Sequence, residues 1–495
     1  MKKTGLPPPD IWLNIICIAL CLFMSCKKSS PNQANTVHIE IDSLAISGFV
    51  NMKVSATFQV AVHSANDQSG ICWSKTLDPV VVKSAIFQPN GDNLRMDTLI
   101  LGLDSNTAYH VRAFYISGKD TTYSVDKTLM TRGMSIFWSK SLSNGVYPQI
   151  KKVLSLADNG FIILTQIDPM YGGFPWPRLT RVDTMGNVVW SYDYDQGQDE
   201  RPDLLLAESD GFVVLAHLMV PGTSAVLLFK TDLNGTLLWR KEFADSVWQT
   251  QFPAQLYEDN NSNIIVASRA LGYQSPADTF ALGPLLEDVV DQSGNLLTKE
   301  QLPNTQDLSY SLLLTTPANA DGYLALYTIN PLGPYSFGAK KFSNNNGLEW
   351  NNSYTGGRYG LSPVAVMEEA SGNYVILAWD EGDGATPASS VLYGIDKSNG
   401  NILWKNVYGF GNNAPASTIP TSFANDNADD YYVTGDGQGG AFIEKTDDQG
   451  RFIWSFTFKN ATGIGEGDAI FLFPNNEIYL FSVNSDMYLT KLREY

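Results

Sequence analysis

The side chains able to do chemistry are few, and their placement narrows what that chemistry can be. The chain has four histidines, His38, His63, His110 and His217, and only His217 lies beyond residue 135. A multi-histidine metal centre in the long C-terminal region therefore has no ligand set to draw on. A His–Ser or His–Cys nucleophilic pair there would rest on His217 alone. Adjacent acids are more plentiful: Glu368 with Glu369, and Asp380 with Glu381 and Asp383, could face each other across a cleft as general acid and base. Solvated loop positions are the simpler reading of them. Asn425-Asp426-Asn427-Ala428-Asp429-Asp430 offers oxygens at alternate positions, as a calcium loop does, yet it lacks the turn glycine at the sixth place. It reads as an Asx-rich turn.

Aromatic residues make a stronger pattern. Asp168-Pro-Met-Tyr171-Gly-Gly-Phe174-Pro-Trp176-Pro-Arg178, the stretch 269–285 with Tyr273 and Phe280, and the stretch 379–386 that opens on Trp379 are long, irregular segments rich in rings. Exposed rings stack on sugars or anchor protein partners. Tyr171, Phe174, Trp176, Arg178, Tyr273 and Trp379 are the candidate binding residues. The competing reading is that Phe174 and Trp176 plug their own proline-rich loop.

What must position these segments is a repeat. An acid, a turn glycine and a tryptophan return about every fifty residues: Asp183-x-x-Gly186-x-x-x-Trp190, Asp232-x-x-Gly235-x-x-x-Trp239, Asp396-x-x-x-Gly400-x-x-x-Trp404 and Asp447-x-x-Gly450-x-x-x-Trp454. Degenerate copies start at Asp291, ending on Thr298, and at Asn344, ending on Trp350. A polar turn followed by a branched or aromatic run alternates with them, as in Asp158-Asn-Gly160-Phe161 and Ser209-Asp-Gly211-Phe212, for seven copies in all. Gly, Asn and Asp supply the positive φ of tight hairpins, and the runs after them are strand-forming. Each unit then holds two hairpins, or four antiparallel strands, and a period of this size means a propeller or a solenoid. The last unit has only three strands before the chain ends, while Ser135-Ile-Phe-Trp138 is a tryptophan strand with no unit before it. Pairing the two gives a seven-bladed ring closed by a 1+3 split blade, with no free sheet edge left at the seam. The three aromatic segments all join the second and third strands of their units, so they should emerge on one face.

The Asp-x-x-Gly-x-x-x-Trp repeat resembles that of quinoprotein-type (PQQ-like) propellers, whose tryptophans lock neighbouring blades. The resemblance implies structural roles for Trp138, Trp190, Trp239, Trp350, Trp404 and Trp454. None of that class's cofactor residues is matched, so no haem, quinone or other cofactor is expected. A fainter likeness to the Asp-box of sialidases fails on spacing, and no cluster of three arginines accompanies it.

Residues 37–131 alternate as β-strands of a single sandwich. The stretch Leu101-Gly-Leu103-Asp-Ser-Asn-Thr107-Ala-Tyr109-His-Val111 resembles the end of a fibronectin type III domain, and the resemblance makes Tyr109 the residue whose hydroxyl ties a strand corner. Gly70-Ile-Cys72-Trp73-Ser74 is similar to the third strand of the version found in envelope proteins of Bacteroidetes-type bacteria. Upstream, Lys2 and Lys3 precede an apolar run from Ile11 to Phe23, too short to span a membrane comfortably. Phe23-Met24-Ser25-Cys26 resembles a lipoprotein cleavage box, which would leave Cys26 as the lipidated first residue; ordinary signal cleavage is the alternative. Residues 26–36 are polar, as a tether is. Of four cysteines only Cys72 remains outside the signal and lipid site, and it reads as a small buried hydrophobe.

The net charge is −18, and about −19 without residues 1–25. No basic stripe exists to neutralise phosphates, which argues against nucleic acid, and attachment to anionic lipid would fall to the acyl anchor. The expectation is an all-β chain: signal peptide 1–25, tether 26–36, fibronectin type III-like sandwich 37–131 and seven-bladed propeller 135–495. Its expected role is that of an outer-membrane lipoprotein with a non-catalytic platform for protein or glycan partners. A glycan-active hydrolase or lyase with its site in the funnel is the alternative.

Overall fold

The computed structural model describes most of residues 37–494. Residues 1–36 and 495, with segments 48–50, 61–63, 82–84, 88–94, 105–106, 143–147, 170–171, 221–222, 245–249, 274–279, 304, 306–311, 315–321, 330–335, 356–359, 383–386, 409–417, 427, 438–439 and 459–465, lie outside the described residues. The signal, the tether and Cys26 are therefore outside them. Among the described residues every element is a strand, and no helix is long and apolar enough to cross a membrane.

Residues 37–130 form two antiparallel sheets. Val37–Ser47, Asn51–Val60 and Arg95–Ile100 make one; Gln68–Ser74, Ala85–Phe87, Ala108–Ser117, Asp120–Tyr123 and Lys127–Met130 make the other. Alternate residues of both, such as Ile41, Val54, Phe58, Ile71, Val111 and Ala113, bury against one another in one core, as the period of two requires. Asp120–Tyr123 and Lys127–Met130 are separate strands, and between them Ser124 turns inward, its Oγ accepting Ala113 N–H at 3.0 Å. Tyr109 Oη donates to Asp104 Oδ2 at 3.0 Å and accepts Asp104 N at 3.1 Å, tying the corner five residues upstream. Cys72 is fully buried, and burial pushes its thiol up to about 11. We expect the Cys72 peptide to escape alkylation at pH 8 in the folded chain and to be labelled fully in urea; labelling without urea would contradict the packing.

The remaining chain is seven four-stranded antiparallel sheets. Their first strands are Pro148–Ser155, Asp199–Ala207, Thr250–Glu258, Leu312–Leu314, Leu361–Glu368, Thr418–Asn425 and Glu466–Phe473, and we number the sheets one to seven in this order. Sheet seven takes its fourth strand from the other end of the region: Met134–Ser141 pairs antiparallel with Met487–Glu494. Each first strand touches the next, and that of sheet seven touches that of sheet one. A shared core of Phe161, Ile163 and Val182 with Tyr479, Phe481 and Leu489 joins those two sheets.

The repeat explains how neighbours are fastened. The acid of each turn is a cap: Asp232 Oδ1 accepts the backbone N–H of Asn234 and Thr236, both at 2.8 Å, and Asp183, Asp291 and Asp447 do the same in their sheets. The glycine is needed because the preceding sheet's tryptophan lies on it. Gly450 has φ +67°, and a Cβ there would come 2.5 Å from the Trp404 ring. The indole N–H then reaches a turn carbonyl: Trp190 to Leu233 O (3.2 Å), Trp239 to Gln292 O (2.9 Å) and Trp350 to Lys397 O (2.8 Å). At the seam Trp138 lies over Gly186, and Lys140 Nζ donates to Met185 O at 2.6 Å. Only the junction from sheet three to sheet four lacks the tryptophan, since Thr298 stands there. In sheet four the cap is Ser343, one residue before Asn344, because Asn346 takes the left-handed position that glycine holds elsewhere.

Candidate functional site

Among the described residues, six of the first strands carry a β-bulge at the same level. The register shifts between Ile150 and Lys152, Pro202 and Leu204, Pro253 and Gln255, Pro363 and Ala365, Pro420 and Ser422, and Gly467 and Ala469. Four have proline just before the extra residue, where the ladder is already interrupted and a missing N–H costs little. The extra residues are Lys151, Asp203, Ala254, Val364, Thr421 and Asp468. Asp203 and Lys152 reach water, yet desolvation pushes Asp203 up to about 6 and the Lys152 ammonium down. Burial likewise pushes Asp468 up to about 7, and its Oδ2 has no hydrogen-bond partner among the described residues.

Two residues before each bulge the strands present Gln149, Arg201, Phe252, Ser362, Ile419 and Glu466. Their partners on the second strands are Gln166, His217, Arg269, Trp379, Asp436 and Val483. This level is mostly polar, whereas the second strands below it are continuous apolar runs such as Phe161–Leu164 and Phe212–Ala216.

The collar is ordered by paired planar groups. Asp168 accepts Gln149 Nε2 at 2.7 Å on one oxygen and Gln166 Nε2 at 2.8 Å on the other. Arg201 grips Asp199 through Nε (2.9 Å) and Nη2 (3.1 Å), and the fields of Asp199, Asp168 and Asp203 all hold its guanidinium protonated. His217 is 5% exposed, with its ring centroid 4.5 Å from that of Phe252 and no partner for Nε2 among the described residues. Burial, aided by Arg201, pushes it down to about 4, so the imidazole is neutral at pH 7.

The sequence-derived candidates divide. The segment 269–285, expected to be irregular, is instead mostly paired strand, Ile264–Tyr273 and Phe280–Val290 meeting through Tyr273 and Phe280; 274–279 between them, like 168–175 and 381–388, joins a second to a third strand at the end where the first strands begin. Phe174 is 55% exposed. Trp176 and Trp379 are half-buried with their indole N–H groups wholly buried, so neither offers an open face as broad as expected. Trp379 belongs to the collar through its pairing with Ser362. Arg178 is committed to Asp193, Nη2 to Oδ2 being 2.9 Å. Tyr273 ends the strand Ile264–Tyr273, with its side chain outside the description, and Tyr171 lies outside it altogether.

The adjacent acids do other work. Glu368 pairs with Lys397 at 2.5 Å and Glu369 accepts the Tyr431 hydroxyl, at the ends of the strands away from the collar. Asp383 is outside the described residues. The Asn425–Asp430 turn is capped by Asp426 and its carboxylates face Lys445, 3.1 Å from Asp430. Among the described residues no three His, Cys, Asp or Glu gather as metal ligands.

Gln149, Arg201 and Phe252 carry no signal noted in the sequence, and His217, weighed there only as a partner for a nucleophile, is instead buried beside Phe252. The signal that could have found them is the proline before the bulge, repeated at 202, 253, 363 and 420, which marks one level of successive first strands.

What the geometry defines is an all-β chain of antiparallel sheets with a polar collar at one end of its first strands. No protein-family model matches it, and no curated protein sequence does. Similar solved structures include PorZ, an essential bacterial surface component of the type-IX secretion system of Porphyromonas gingivalis, at 11% identity and a TM-score of 0.43, over 91% of this chain and 62% of that one. A glucose dehydrogenase shares 12% identity, with a TM-score of 0.34, over 72% of this chain and 98% of its own. The parainfluenza virus 5 hemagglutinin-neuraminidase ectodomain shares 8%, with a TM-score of 0.37, over 72% and 86%. This chain thus spans less than two thirds of PorZ.

Proposed function

We propose that the chain is a lipid-anchored protein of the bacterial cell envelope, an outer-membrane lipoprotein of Bacteroidetes type, whose sheets are a non-catalytic platform for a protein or glycan partner. In this reading residues 1–25 are the signal, Cys26 carries the lipid, 26–36 is the tether and 37–131 is a fibronectin type III-like spacer. Residues 135–495 are a seven-bladed, PQQ-like propeller closed by its 1+3 split blade. The tied Tyr109 corner and the two-sheet division support the spacer; the cyclic contact of first strands supports the ring.

One observation carries the function: the three connections from second to third strands, at 168–175, 274–279 and 381–388, and the polar collar belong to the same end of the sheets. Loops held on a rigid scaffold beside a polar mouth make a docking face. The test is a pull-down and glycan-array screen of the full chain in detergent, with Phe174→Ala, Trp176→Ala and Trp379→Ala variants. We expect at least one partner whose retention falls about tenfold in one or more variants, and partners indifferent to all three would contradict the reading.

A second reading, a glycan-active hydrolase or lyase, draws on Asp203 and Asp468, the two acids at the bulge level pushed toward neutral pKa. It expects glycan cleavage that Asp203→Asn and Asp468→Asn abolish; the platform reading expects no turnover.

A further inference from the structure

One corner of the collar is built differently from the rest. Where sheet two meets sheet three, Phe252 is the collar's exposed ring, 38% accessible. Beneath its edge lies His217, and beside it Arg201 is fixed by Asp199. Gln251, the residue before Phe252, is fully buried. Its Oε1 accepts the Ser268 hydroxyl at 3.3 Å, while its Nε2 has no partner among the described residues. His217 Nε2 is thus a buried, neutral nitrogen with no partner among the described residues at this corner, and Gln251 Nε2 is another on the opposite face of the Phe252 strand. Sheets pack in this region through Val213, Leu215, Val226 and Val266, so an apolar residue at 217 would have served packing better.

The charges select among ligands. Both oxygens of Asp168 are taken by glutamine amides and both of Asp199 by Arg201. A cationic ligand would therefore have to compete with donors already held on those two acids. An anionic ligand meets an arginine already neutralised, with Asp168 and Asp203 adding opposing charge beside it. What remains is an apolar ring face, paired planar groups with spare hydrogen-bonding edges, and neutral nitrogens.

We propose that this corner binds a neutral, hydroxyl-rich ligand, a stretch of uncharged glycan, with a sugar face on Phe252 and hydroxyls bonded to His217 Nε2 and the Arg201–Asp199 pair. The proposal rests on the platform reading and gives it a ligand class and an address. Sugar C–H faces stack on aromatic rings, and sugar hydroxyl pairs suit planar side chains held in place beforehand.

The test is isothermal titration of the full chain in detergent with cellohexaose, maltohexaose, xylohexaose and mannohexaose, after an array screen for further neutral glycans. Hyaluronan hexasaccharide and a mixed peptide library are the comparison ligands. We expect one neutral glycan to bind and Phe252→Ala to weaken it about tenfold or more, with an unchanged melting curve. Arg201→Ala should do likewise, while His217→Phe, which keeps the ring but removes the nitrogens, should weaken binding at least fivefold. Phe174→Ala separates the two claims. A partner that is lost with Phe174→Ala but held fully by Phe252→Ala would overturn the corner and leave the platform standing. Retention of only anionic glycans or peptides, or of no neutral glycan, would also overturn the proposal.

Discussion

Replacing Glu494 with alanine should lower the melting temperature by about 3–8 °C. Glu494 is 9% exposed and ends the last strand of sheet seven. Trp454 of sheet six, fully buried, donates its indole N–H to Glu494 Oε1 at 2.8 Å. The Tyr432 hydroxyl donates to Oε2 at 2.6 Å, and Lys445 Nζ lies 3.4 Å from the same oxygen. At three other junctions the indole meets a backbone carbonyl of the next sheet's turn; here the carboxylate is the acceptor. Alanine leaves two buried donors unpaired at roughly 1–3 kcal/mol each. The seven sheets span Met134–Glu494, and a unit of that size loses roughly 1–2 °C per kcal/mol. Lys445 keeps Asp430 at 3.1 Å and so adds little. Glu494→Gln retains an acceptor for Trp454 and should recover more than half of the loss. Differential scanning calorimetry of the three proteins decides it, and equal melting temperatures would remove Glu494 from the junction.

The second large effect has the opposite sign. Glu444, on the third strand of sheet six, is fully buried, and neither carboxyl oxygen has a hydrogen-bond partner among the described residues. Burial pushes it up from its ordinary 4.5 to about 8. Between those values the folded chain holds a proton that the unfolded chain has released. Stability from this residue is therefore full below about 4.5, falls as pH rises, and is level above about 8. Each pKa unit is about 1.4 kcal/mol, and relaxation around a buried carboxylate reduces the whole, so roughly 2–4 kcal/mol is at stake. Glu444→Gln keeps the shape without the ionisation. It should raise stability at pH 8.5 by that amount, change little at pH 4.5, and flatten the slope between. A wild-type profile already flat from pH 5 to 8 would mean that Glu444 is solvated or paired.

Much of the fold could be read in the residues because the repeat states its own physics. An acid caps a turn, a glycine takes positive φ and a tryptophan fills the space above it; each requirement leaves one residue type at one spacing. The seam was legible for the same reason, as Trp138 had no sheet of its own. Less could be read of what lies between the repeats. Tyr194, Tyr354 and Tyr408 stand four residues after their tryptophans and bond Gly235 O (2.7 Å), Gly400 O (2.7 Å) and Gly450 O, yet Phe243 and Phe458 occupy the same place in other sheets. The substitution hides the pattern. The collar was hidden more deeply. Gln166 and His217 sit within strands whose other residues are nearly all apolar, and only the bulges and the pairing register bring them level. Sequence reasoning favoured Trp176 and Trp379 because loops with large rings stand out, but burial of both indole N–H groups shows that part of each ring serves its own sheet.

The account depends most on strand Met134–Ser141 completing sheet seven. Ser139 and Thr490 are directly opposed there, their hydroxyl oxygens 2.8 Å apart. Cysteines at both positions, oxidised in the folded full chain and mapped by mass spectrometry, test that pairing directly. The predicted result is a near-quantitative 139–490 disulfide that raises the melting temperature and leaves partner binding intact. Failure of that bond to form in the folded protein, with both thiols free to alkylation, would contradict the closure and the shared docking face built on it.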